Sequence, residues 1–110
     1  MEARFLHEGH SIHFIPTEAV SAGSVVVLGH LVGIAKLNIS PGEFGVIALE
    51  GVYEMTKENV AMTTGDFAYW DQASRKVTAT ATGNVYLGRV VYDATATEEL
   101  VQVRLEPITA

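Results

Sequence analysis

The chain contains no cysteine, which excludes disulfides, thiol nucleophiles and cysteine-ligated zinc. That absence fits a reducing cytoplasm. Basic residues are also scarce: seven Lys and Arg stand against 13 Asp and Glu, a formal net charge of -6. No Lys/Arg cluster offsets this surplus. A phosphate backbone would therefore be repelled, and nucleic acid is not expected as a partner. No apolar run approaches the roughly 20 residues needed to cross a bilayer. The opening Met-Glu-Ala-Arg-Phe-Leu-His lacks the basic start and apolar stretch of a signal peptide. No membrane partner is expected, and the protein should be soluble and begin in the cytosol.

Motifs that would carry chemistry are missing as well. The ten glycines are scattered through turns and form no phosphate loop. There is no serine nucleophile elbow and no H-E-x-x-H. The best metal candidates are His7, His10 and His13, with Glu8 among them. An extended segment would point His10 away from the other two, and Gly9 weakens any helix that would align them. A polar N-terminal arm explains them better, so no metal and no other cofactor is expected. Asp66 and Asp71 flank Phe67-Ala68-Tyr69-Trp70 and invite a paired-carboxylate reading. Their odd separation sends them to opposite faces of a straight strand, each beside a turn, where Asp commonly bonds the backbone. The chain reads as no enzyme and as a poor host for a small-molecule substrate.

What is present is strand pattern. At 110 residues with 48% hydrophobic and 18% charged, the chain suits one domain with one core. Alternation or β-branched runs predict strands over 11–15, 24–28, 31–37, 44–50, 52–55, 67–71, 75–82, 85–92 and 100–105. Ser40-Pro41-Gly42-Glu43, Thr64-Gly65-Asp66 and Gly83-Asn84 are turn signals between them. Only 56–62 has a helical flavour, one or two turns at most. The expectation is an all-β fold, a single compact barrel or β-clip-like domain over 11–110, with residues 1–10 as a flexible arm. Thr78, Thr80 and Thr82 would form an ordinary solvated strand face.

Several strands are apolar on both faces: Val25-Val26-Val27-Leu28, Val46-Ile47-Ala48-Leu49 and Phe67-Ala68-Tyr69-Trp70. A thin β-domain is not expected to cover both faces of so many strands with its own chain. Burial against further copies of the chain is the simplest solution. Phe67, Tyr69, Trp70, Val25 and Val27 are the candidates for core or subunit contact.

An ordered series of segments carries a family resemblance. It runs through Gly9-His10-Ser11-Ile12, Val20-Ser21-Ala22-Gly23-Ser24-Val25-Val26 and Leu31-Val32-Gly33-Ile34-Ala35. Leu49-Glu50-Gly51-Val52-Tyr53-Glu54 follows, then Gly65-Asp66-Phe67-Ala68-Tyr69-Trp70-Asp71, Thr80-Ala81-Thr82-Gly83-Asn84 and Leu87-Gly88-Arg89-Val90. In this order the chain resembles the small capsid cement, or head decoration, proteins of tailed phages and prophages. The resemblance implies a virion structural protein, trimeric, that sits on the exterior of a phage head after assembly in the host cytoplasm. Its partners would be its own copies and the major capsid protein. The arm, with Arg4, Phe5 and Leu6, becomes a candidate capsid contact. Two alternatives remain at this point: a phage tail or neck protein, and a ligand-binding or enzymatic β-barrel using Asp66, Asp71 and a histidine.

Overall fold

A computed structural model describes residues 2–106. Met1 of the expected arm and residues 107–110 of the expected domain lie outside the described residues. Nine strands and no helix occur among the described residues. They are β1 (Ser11–Phe14), β2 (Val25–Leu28), β3 (Leu31–Ala35), β4 (Gly45–Ala48), β5 (Val52–Thr56), β6 (Phe67–Asp71), β7 (Lys76–Thr78), β8 (Val85–Tyr92) and β9 (Leu100–Leu105). β6, β8 and β9 lie where the pattern predicts. The strand expected over 75–82 is cut to three residues. Asn84 explains the loss: its Nδ2 donates to the Thr80 carbonyl at 2.9 Å and its backbone N–H to that of Ala81 at 3.1 Å. Those bonds turn 80–84 away from the ladder. Thr78 is consequently not solvated; it is buried and its hydroxyl donates to Glu58 Oε1 at 2.8 Å.

The strands form two antiparallel sheets, ordered β1-β4-β3-β2 and β5-β9-β8-β6-β7. The first four strands pair among themselves, and the chain changes sheet at Glu50-Gly51, between β4 and β5. β2 and β3 are joined by the two-residue turn Gly29-His30, whose first position has φ 66°. Tight hairpin turns need such a positive φ, and glycine adopts it without a Cβ penalty.

One core lies between the sheets. Val25, Val32 and Ile34 supply it from the four-stranded sheet. Met55, Ala68, Trp70, Val77, Val90, Val101, Val103 and Leu105 supply it from the other. The strict alternation of β9, with Val101, Val103 and Leu105 buried and the residues between them exposed, is the signature of a strand with one dry face. Arg75 fastens the sheets together. Its guanidinium lies 5.4 Å from the Trp70 ring centroid and donates to the Val25 carbonyl at 3.2 Å. Those contacts offset the strain of its left-handed φ of 57°.

The fold is all-β as expected, and of the two expected forms, a compact barrel or a β-clip-like domain, a closed barrel does not form. The edge strands β5 and β7 come together at a single parallel bridge, Lys57 to Val77, without a ladder to close the sheet. Residues 56–62, expected to hold at most a helical turn, instead close β5 at Thr56, make that bridge and add a second one from Met62 to Ala94. Lys57 is buried there, and its Nζ donates to the carbonyls of Glu58 at 3.0 Å and Val60 at 2.8 Å. These irregular carbonyls find a donor in the lysine, which a helix would not have needed.

Part of the apolar surplus is covered within the chain. Val26, Gly33, Ala35, Gly45, Ile47, Ile12 and Phe14 share the face of the four-stranded sheet turned away from the core, as their register shows. Ile39 lies over this face at Gly45, and the bridge Val20 to Ile39 holds two loops across it. Ile47, Ala35 and Ile39 are thereby buried as a smaller second core. Leu28 and Leu31, paired at the hairpin end of the same face, stay exposed.

Candidate interaction surfaces

The outward face of the five-stranded sheet concentrates aromatic and arginine side chains. Phe67 and Tyr69 alternate outward along β6, because Ala68 and Trp70 take the inward positions. Register places Arg89 opposite Phe67 and Tyr86 opposite Tyr69. A bulge between Ala68 and Tyr69 leaves Leu87 as an extra, buried residue of β8. The bulge lets Tyr86 and Arg89 share the outer face although an odd number of positions separates them.

The rings interlock edge to face, Tyr86 against Phe67 at 6.1 Å and against Tyr69 at 5.7 Å between centroids. Arg89 caps the cluster, its guanidinium 5.2 Å from the Phe67 centroid. Arg89 also stands directly opposite Arg104 of β9. Like charges so placed repel, and Glu106 answers both. Its carboxylate is 3.4 Å from Arg89 Nε and 3.7 Å from Arg104 Nη1. The Tyr86 hydroxyl donates to Glu106 Oε1 at 3.0 Å. Burial, then this bond and the carboxylate's charge, raise the Tyr86 phenol above its ordinary value of 10.0, so it is a neutral donor at physiological pH. Half-exposed arginines contribute little stability through such pairs, about 1 kcal/mol or less each. The network's effect is to hold rings and guanidinium groups in fixed positions on an open face, with Phe67 still 49% exposed. Tyr, Phe and Arg arranged in this way are the usual anchors of protein interfaces.

A second feature is a cleft of about 650 Å³ where the hairpin end of the four-stranded sheet meets β8 and β9. Leu28, Leu31, Val32, Leu49 and Leu105 give it apolar walls, with Glu50, Glu106, His30 and Arg104 also lining it. Gly9 stands at its lip. The segment before Gly9 carries no strand and leaves Phe5 and Leu6 76% and 72% exposed.

Of the five contact candidates, Phe67 and Tyr69 lie on the outer face. Trp70 and Val25 are buried in the core, and Val27 packs against it half-buried. The Trp70 indole N–H donates to Gln72 Oε1 at 2.8 Å, which satisfies its one polar atom. The histidines do not converge. His7 Nδ1 accepts the Gly9 N–H at 3.0 Å, His10 Nδ1 contacts the Glu50 carboxylate, and His13 stacks edgewise on Phe44 at 5.9 Å. Among the described residues no group of three or more His, Asp or Glu is placed to hold a metal ion.

Asp66 and Asp71 take the turn positions that the sequence favoured over a paired carboxylate. Asp66 accepts the Thr63 N–H at 2.8 Å, and Asp71 accepts those of Ala73 at 3.0 Å and Ser74 at 3.3 Å. Each closes its own turn at opposite ends of β6, about 16 Å apart at the rise of a strand. Tyr86, Arg89, Arg104 and Glu106 complete this candidate surface and were missed by sequence reasoning. Their only sequence signal was alternation with apolar neighbours, and the bulge broke even that for Tyr86.

A family model described as phage cement protein matches residues 6–105. No curated protein and no solved structure matches the chain.

Proposed function

The chain belongs to the phage cement protein family, and on that premise we propose that it binds the exterior of a phage head as a homotrimer and braces the shell. The family is one of structural virion proteins, and this chain is accordingly a capsid-associated phage protein. A cement protein acts through surfaces rather than pockets. Several modest contacts made in parallel become tight once the copies are linked, because each later contact forms at high effective concentration. Its partners in this reading are its own copies and the major capsid protein. The net charge of -6 would keep the free protein apart from nucleic acid and in solution until it docks from the host cytoplasm.

The observation that carries the oligomer is the open face of Phe67, Tyr69, Tyr86, Arg89 and Arg104. Its rings are already locked against one another, so little side-chain freedom remains to be lost on association. Neither face residue of β6 reaches the core, so substitutions there separate assembly from folding. The test is light scattering at micromolar concentration, followed by co-sedimentation with expanded heads. The parent should have the mass of a closed trimer and pellet with heads. Phe67→Ser with Tyr69→Ser should melt close to the parent yet dissociate at least 30-fold more readily, the effect of losing about 2 kcal/mol at an interface anchor. A monomeric parent, or unchanged mass in the double variant, refutes this assignment of the face.

A further inference from the structure

We propose that the oligomer is closed by arm exchange: Phe5 and Leu6 of one copy seat in the cleft between the hairpin end and β8–β9 of the next. The inference rests on the homo-oligomer reading above. The resemblance would send the same arm to the capsid; the structure offers it a receptor on the chain itself.

Two unmatched halves of one contact lie side by side. The arm presents adjacent large apolar side chains to solvent, at 76% and 72% exposure. The cleft presents apolar walls from Leu28, Leu31, Leu49 and Leu105, with Leu28 and Leu31 still open to solvent. Charges of both signs are present on each side. The arm carries Arg4 on one side of Phe5-Leu6 and Glu8 on the other. The cleft lining carries Glu50 and Glu106 together with His30 and Arg104.

Three local contacts fix the base of the arm. The Leu49 N–H donates to the His10 carbonyl at 2.9 Å, the His10 ring meets Glu50, and the Gly9 N–H donates back to His7 at 3.0 Å. Together with the positive φ of 76° at Gly9, they pin the base of the arm at the lip, and residues 2–8 beyond it are exposed. Five extended residues from His10 to Phe5 reach about 16 Å, enough to cross to a neighbour. A ligand on one side of a molecule and its receptor on another make a heterologous contact, which closes into a ring when the rotation permits.

The absence of cysteine makes the test clean. Leu6→Cys is combined in turn with Leu28→Cys, Leu31→Cys and Leu49→Cys, and the pairs are oxidised and run on a non-reducing gel. All four are arm or cleft residues, and none belongs to the inter-sheet core cluster. At least one pair should give a covalent trimer, which neither single cysteine can form because one thiol per chain stops at a dimer. Deleting residues 2–8 should weaken the oligomer at least tenfold in a dilution series. An oligomeric mass with no cross-link from any pair, or an intrachain disulfide alone, overturns arm exchange and leaves the homo-oligomer standing. Loss of head binding on deletion with the oligomer mass unchanged makes the capsid the arm's partner and overturns the proposal too. A monomeric parent removes the homo-oligomer reading itself.

Discussion

Gly88 is the position where one added methyl group should do most damage. It lies in β8 with β6 on one side and β9 on the other, paired to Ala68 and Leu105. A Cβ there would sit inside the contact sphere of the Arg104 carbonyl oxygen, 2.9 Å from that carbonyl carbon and 3.0 Å from the Glu106 nitrogen. All three obstacles are backbone, so no rotamer change relieves them. β9 would have to draw back from β8, and the Glu106 N–H bond to the Leu87 carbonyl, now 3.0 Å, is the nearest ladder bond at risk. Overpacking costs about 1–3 kcal/mol, and one or two lost ladder bonds add roughly 1 kcal/mol each. A total near 4 kcal/mol compares with the roughly 5–15 kcal/mol that holds such a domain together. Gly88→Ala should therefore lower Tm by about 15 °C or more, followed by circular dichroism. Gly83→Ala is the control: its φ is also positive, at 78°, but nothing lies within 4 Å of the new Cβ. It should lose only about 1–2 kcal/mol. Gly45→Ala meets Ile39 side-chain carbons at 2.6 and 2.7 Å, so trimming the neighbour with Ile39→Val should recover part of its loss. Equal melting of the Gly88 and Gly83 variants would refute the close-approach argument.

Lys57→Met keeps the buried volume but leaves the Glu58 and Val60 carbonyls without their donor; a loss of about 2 kcal/mol is expected in urea unfolding. Asp93 accepts the Thr64 N–H at 2.7 Å and hydroxyl at 2.8 Å, which hold its carboxyl below the ordinary 3.8. A folded value below the unfolded one means the contribution is present above about pH 4 and lost as pH falls through the folded value. Asp93→Asn should therefore show a shallower fall of Tm with acid than the parent. Tyr86 shifts the other way, mainly through burial and then through Glu106, so its contribution is present below pH 10 and lost as pH rises through the higher folded value. Glu106→Gln should move its phenolate absorbance midpoint down towards the ordinary 10.0; an unchanged midpoint would show that burial acts alone.

Much of the fold was written in the alternation of the strands. β6, β8 and β9 fell where their patterns placed them, and β6 and β9 each bury one clean face. The strands expected over 31–37 and 44–50 are shorter, and β7 is cut by the turn that Thr80, Ala81 and Asn84 make. The aspartates at the ends of β6 were also legible as turn residues, because an Asp beside a turn bonds the nearest backbone amides whatever the rest of the chain does. The interaction face was legible by half. Phe67 and Tyr69 stood among five candidates for core or subunit contact with no face assigned, and the gathering of Arg89, Arg104 and Tyr86 by Glu106 depends on strand register and a bulge. Whether the all-β chain would close into a barrel was decided by one bridge at Lys57 instead of a ladder. The all-β class and the lack of thiol chemistry were thus legible before any contact was known, because they follow from short-range periodicity and composition. The two sheets, the second core under Ile39 and the apolar cleft beside Gly9 emerge only from the folded chain. Those depend on register and on which strands meet, and neither is encoded in any local window.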